Sequence, residues 1–183
     1  MLMQPPEIYP NVFKDLFINE VKRRLMQEGV PRIRKCLSLL SEEEIWHREN
    51  KYTNSVGNLV LHLCGNVRQW VIAGMGGAED DRRREEEFAE EGPIPAAELL
   101  KRLDQLMAEV EEVLDELPPH SLLDPKQIQG FDENGISVLV HVVEHFSYHV
   151  GQITYIVKSS KKVDTAYYGG MDLGVHNEEG STE

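Results

Sequence analysis

Residues 135–158 read GISVLVHVVEHFSYHVGQITYIVK, with His141, His145 and His149 at four-residue spacing. In an α-helix that spacing advances about 40° around the axis and one turn along it. The three imidazoles therefore form one line on one face. Gln152, seven residues past His145, falls on the same line. Only Glu144 and Lys158 carry charge here, in a chain that is 28% charged. A helix apolar on every side is normally buried, and aligned histidines inside such a helix call for partners on another element.

The partners are expected on residues 54–75, NSVGNLVLHLCGNVRQWVIAGM, where Arg68 is the single charge. Projected as a helix, Ser55, Asn58, His62, Asn66 and Gln69 make one stripe, surrounded by Leu59, Leu61, Leu63, Val67, Trp70 and Val71. A polar stripe is ordinarily the wet side of a surface helix. In this chain a wet side should carry Glu and Lys. A stripe of neutral hydrogen-bonding groups fits a buried polar pocket better.

Two further helical patterns complete the set. From about Asn11, the apolar residues Val12, Phe13, Leu16, Phe17, Val21 and Leu25 recur at three and four, the helical period. Gly29 and Pro31 interrupt the run, and Arg32–Leu40 continues it as the same kinked helix or as a second one. Leu99, Leu103, Leu106, Val110, Val113 and Leu117 mark another surface helix, led in by Pro93 and Pro95 and stopped by Pro118-Pro119. Ser41 and Glu44 form a capping-box pattern for a short turn carrying Ile45 and Trp46, and residues 47–53 read as a loop. Residues 74–91, with DDRRREEEFAEE, read as a charge-dense connector of at most one or two helical turns, with Phe88 as its one large apolar anchor and no chemistry of its own. Residues 120–134 read as a long loop of the kind that is often functional. The N-terminal ten residues read as extended, Tyr167-Tyr168-Gly169-Gly170 as packing back, and the end as frayed. Four helical patterns without an alternating strand predict an all-α helix bundle. A single domain over 1–183 is expected, with an ordered core at about 11–165.

Composition narrows the partners. A net charge of -13 argues against nucleic acid, whose phosphates need Lys and Arg. No run of about 18 apolar residues offers a membrane span. The two cysteines, Cys36 and Cys64, make no disulfide framework, so a cytoplasmic location is expected.

Sites in helix bundles form in the core from side chains on facing helices. His145 and His149 can offer two nitrogens to one ion, and His62, the one histidine of the neutral stripe, is the candidate third. Three neutral histidines suit zinc, nickel, cobalt or iron(II) and leave a position open for water or substrate. His141 is read as lining the pocket, because one ion rarely takes ligands from three successive turns. Asn58, Asn66 and Gln152 are expected to orient imidazoles or substrate, and Cys64 to point away. His47, His120 and His176 are expected to be exposed. The competing reading is of core or interface histidines satisfied by backbone and amide groups. H-E-x-x-H, a phosphate-binding Gly loop and G-x-S-x-G are absent.

NLVLHLCGNVRQW and HFSYHVGQI resemble the DinB/YfiT-like superfamily of metal-dependent bundles. Its pattern is one histidine on the second helix and H-x-x-x-H, then a residue, Gly and Gln, on the last. His62, His145, His149, Gly151 and Gln152 fill that pattern here. PRIRKCLSLL and IQGFDENG look like an uncharacterised branch. The resemblance spans roughly residues 12–160. It implies an up-down four-helix bundle, commonly a homodimer, with a divalent metal on the three histidines. Zinc or nickel lead, with iron, cobalt or manganese behind them. It further implies thiol-dependent S-transferase or isomerase activity on a small-molecule substrate, using a low-molecular-weight thiol such as bacillithiol or mycothiol. The acting group would be metal-bound water or thiol. Val150 departs from the superfamily's usual Arg at that place. The alternative is a non-catalytic metal- or ligand-binding bundle, a sensor or structural dimer.

Overall fold

The computed structural model describes residues 8–176. The expectations for Met1–Glu7 and for the end beyond His176 lie outside the described residues. Four helical rods build the fold. The first joins α1 (Ile8–Lys22), π-helical turns at Arg23–Gly29, and α2 (Val30–Leu37). The second joins α4 (Val56–Val67) to π-helical turns at Arg68–Ala73. The third is α6 (Ala96–Glu116) and the fourth α7 (Gly135–Lys161). Short helices α3 (Glu42–Trp46) and α5 (Arg84–Ala89) lie in the connections. The first and second rods each pack against both the third and the fourth, closing the up-down all-α bundle expected from the periodicity.

The interruption at Gly29-Val30-Pro31 resolves as one continuous rod. Gly29 and Val30 both keep right-handed helical angles, and the Val30 N–H reaches back five residues to the Leu25 carbonyl. The widened turn leaves Pro31, which has no N–H, at the opening of α2. Tyr9 and Pro10, expected to be extended, lie inside α1; a proline in the first turn forfeits no hydrogen bond. Capping boxes start three helices, with Ser41 and Glu44, Ser55 and Asn58, and Asn134 and Ser137 as the paired residues.

The long loop 120–134 is corrected. A single 3₁₀ turn (Pro119–Leu122) leads into β1 (Pro125–Ile128) and β2 (Phe131–Asn134), an antiparallel hairpin in which Ile128 faces Phe131. Gln129 and Gly130 both have positive φ, 55° and 84°, the conformation that two-residue hairpins require. Four-residue strands and a Gln-Gly turn are too short and too unusual to announce themselves. Ile128 is buried, and Gln129 Oε1 accepts from the Trp70 indole at 3.3 Å, so the hairpin covers the end of the second rod.

The core contains Leu25, Ile33, Leu63, Trp70, Leu99, Leu103, Leu139 and Phe146. Tyr167 packs back as expected. Its hydroxyl lies 3.0 Å from Cys36 Sγ and 2.8 Å from Thr154 Oγ1, and the Arg32 guanidinium covers its ring.

The first rod holds the fourth at close range through Gly29. A Cβ there would stand 2.5 Å from Phe146 Cε1, and Phe146 is fully buried beside His145. Gly29→Ala is therefore expected to cost about 1–3 kcal/mol through overpacking, read by urea denaturation. Unchanged stability would show that Phe146 has room to move.

Candidate metal centre

The neutral stripe of the second rod is buried from end to end, from Ser55 at 1% exposure to Gln69 at 9%. Its inward face meets α7. There His62, His145 and His149 come together, with ligand nitrogens all within 4.8 Å of one another, and this trio could hold a metal ion. His145 Nε2 lies 3.2 Å from His62 Nε2 and 3.2 Å from His149 Nε2. Two nitrogens on one tetrahedral zinc, each at about 2.0–2.1 Å, stand about 3.3 Å apart, so the spacing matches that of ligands on a shared ion.

The outer nitrogens decide which atoms face inward. His62 Nδ1 lies 2.9 Å from Glu87 Oε2 and 3.2 Å from Arg82 Nη2; the carboxylate is nearer and only accepts, so the proton is assigned to Nδ1. Arg82 donates to Glu87 Oε1 at 2.7 Å and Oε2 at 2.9 Å, and to Gln69 Oε1 at 2.9 Å. Burial pushes the Glu87 carboxyl up, but the hydrogen bonds from Arg82 and His62 outweigh it and hold it below the usual range. His149 Nδ1 donates to Gln152 Oε1 at 2.7 Å, and the Gln152 amide donates to the Tyr148 hydroxyl at 3.2 Å. With both outer protons placed, the Nε2 atoms of His62 and His149 present lone pairs to the same point. His145 Nε2 carries at most one proton and can satisfy only one of them. A cation placed there would satisfy all three nitrogens. Among the described residues Asn66 Oδ1, His141 Nε2 and His145 Nδ1 are buried without a hydrogen-bond partner.

The other candidates divide. Gln152 orients His149. His141 stacks on Trp70 with ring centroids 3.9 Å apart and stands 5.5 Å from the His145 ring; it lines the site and is not among the three grouped ligands. Asn58 does not orient an imidazole. Its amide donates to the carbonyls of Glu87 at 3.0 Å and Glu90 at 2.7 Å, fastening the segment that carries Glu87. Arg48 bonds the carbonyls of Phe88 and Glu90. Cys64 is outside the trio, and burial pushes its thiol up to about 12, so it is no reactive thiolate. His47 and His120 are exposed, as expected.

The reading of residues 74–91 as a charge-dense connector with no chemistry of its own is corrected. The Arg82 side chain is 4% exposed and that of Glu87 10%, and the Phe88 ring lies 4.6 Å from the His62 ring. Charge runs are usually solvated, and nothing in the local pattern distinguishes Arg82 from Arg83 or Glu87 from Glu86. The one available signal was Phe88, the single large apolar side chain there, which anchors the segment over His62.

Burial works against protonation of His141, His145 and His149. Burial, then the neighbouring His149, His62 and His141, push His145 down to about 3. Burial also lowers His149 and His141. Folded values below the unfolded value of about 6.5 mean that the unfolded chain takes up protons first on acidification. Their stabilising contribution is complete above pH of about 6.5 and is lost as pH falls toward the folded values. Metal-free protein should therefore melt at a lower temperature at pH 5 than at pH 7.5, and His145→Gln should flatten that slope. Equal melting temperatures would contradict the assignment.

The histidine trio lies between the second and last rods of an up-down helix bundle. The fold is similar to a crystal structure of a DinB-like protein from Bacillus cereus, with a TM-score of 0.57 and 17% identity over 74% of this chain and 87% of that one. The family described as "Protein of unknown function (DUF1572)" matches residues 13–167, and the chain belongs to it. No curated protein matches the chain. Among the described residues, no helix is long and apolar enough to cross a membrane.

Proposed function

We propose that His62, His145 and His149 bind one divalent metal ion, zinc or nickel ahead of iron, cobalt or manganese, and that the protein is a metal-dependent enzyme acting on a small molecule. The observation that carries this reading is the convergence of three Nε2 atoms, with the outer nitrogens of His62 and His149 already committed to Glu87 and Gln152. Three protein ligands leave a position for water or a thiol. Bound there, the ion would supply Lewis-acid chemistry, lowering the pKa of a water or thiol so that it acts as a nucleophile near neutral pH.

The chain's own residues set the conditions for that chemistry. Glu87 accepts the His62 proton, fixes the ring and adds negative charge behind it; Arg82 keeps Glu87 ionised. Gln152 does the same for His149 without charge. Phe88 and Trp70 exclude water from the flanks. A thiol-dependent S-transferase or isomerase, working as a cytoplasmic homodimer, is the activity we take forward from the superfamily resemblance.

The test is turnover. Zinc- or nickel-loaded protein is offered a panel of low-molecular-weight thiols with a haloarene electrophile. Thiol consumption that disappears in His149→Ala is the expected result. Metal binding without turnover across the panel would favour a sensor or structural bundle.

A further inference from the structure

A cavity of about 750 Å³ reaches Gln152, the hydrogen-bond partner of His149. Its volume is in the range of small-molecule sites. One wall is a single face of α7, formed by Tyr148, Gly151, Gln152 and Tyr155. Gly151 matters because a Cβ there would meet nothing within 4 Å; the floor between two exposed tyrosine rings is open. The opposite wall includes Glu44, Glu49 and Tyr52. The cavity is wired to the candidate centre, since Tyr148 accepts from Gln152 and Gln152 accepts from His149.

The charge of this lining selects a ligand class. It contains two carboxylates, three tyrosines and no Lys or Arg. Lys161 outside it is committed to Glu44 at 2.8 Å, which leaves Glu49, with the His47 ring at 3.9 Å. A carboxylate or phosphate ligand would meet Glu49, while the nearby ammonium groups are already engaged, Lys161 by Glu44 and Lys51 over the Tyr52 ring at 4.9 Å. An organic cation would meet a carboxylate and aromatic faces, the combination that binds ammonium groups. Leu40, Leu59 and Ile156 supply apolar surface for its body.

We propose that this cavity binds small organic cations, an ammonium head on an apolar or aromatic body, and that it is the substrate subsite of the enzyme. The binding claim stands on the cavity alone; the role as substrate subsite rests on the proposed metal centre.

The probe is benzyltrimethylammonium, with 3-phenylpropionate as its anionic counterpart. Each is titrated into metal-free wild type and into His62→Ala, followed by the amide NMR signals of Gly151 and the Gln152 side chain. The cation is expected to shift these signals in both proteins and the anion in neither. Glu49→Gln and Tyr155→Leu alter exposed side chains and should each weaken the cation by about threefold. An anion that binds as well as the cation, or variants that leave cation binding unchanged, would overturn the proposal. Because these titrations need no metal, they are independent of whether the histidines bind zinc.

Discussion

His62→Ala abolishes stoichiometric metal binding and leaves the helical bundle standing. That is the largest effect the structure leads us to expect. His62 is the one grouped histidine not on α7, so without it the site reduces to two imidazoles one turn apart. Structural zinc sites bind with about 10–16 kcal/mol; losing one of three protein ligands should remove roughly a third of such a figure, on the order of a thousandfold in affinity. The fold should survive because Arg82 and Glu87 remain paired with each other when the imidazole goes, so no buried charge is stranded. Calorimetric titration with zinc and far-ultraviolet circular dichroism read the two outcomes separately. Wild-type affinity in the variant would remove His62 from the site.

Glu87→Gln weakens metal binding by about 10- to 100-fold, the usual loss when a hydrogen-bond partner behind a metal-bound histidine is altered. Glutamine keeps the shape and an acceptor for the His62 proton, but it removes the negative charge that raises imidazole basicity. It also leaves the buried Arg82 with neutral partners, Gln69 among them. Stability should fall with affinity, because a charge that loses its buried partner is costly. Denaturation of metal-free Glu87→Gln measures that loss apart from metal affinity. If affinity stays at the wild-type value, Glu87 is a fastening of the connector and not a support of His62.

Much of this was legible in the residues because the relevant signals are periodic. The histidine line on α7 and the neutral stripe on the second rod follow from 3.6 residues per turn; the stripe is buried and the histidine line half-buried. The absence of Glu and Lys from the stripe was enough to separate a polar pocket from a wet surface. Gln152 was legible for the same reason. What was not legible depends on long-range closure. Glu87 reaches His62 across a connector whose neighbours carry the same charges, and only Asn58, Arg48 and Phe88 together bring it down onto the site. Asn58 could not be assigned from its position on the stripe, since its amide serves the connector's carbonyls. The hairpin at 125–134 was hidden because its strands are four residues each and its turn is Gln-Gly. The π-helical turns were hidden too, being an adjustment to Pro31 and to packing that leaves no period of its own.

X-ray absorption spectroscopy of protein purified without a histidine tag and loaded with zinc tests the central claim most directly. The account predicts one ion per chain with three imidazole nitrogens at about 2.0–2.1 Å, one lighter open-position ligand and no sulfur. A spectrum with sulfur at about 2.3 Å, or protein that takes up no metal at all, would contradict it.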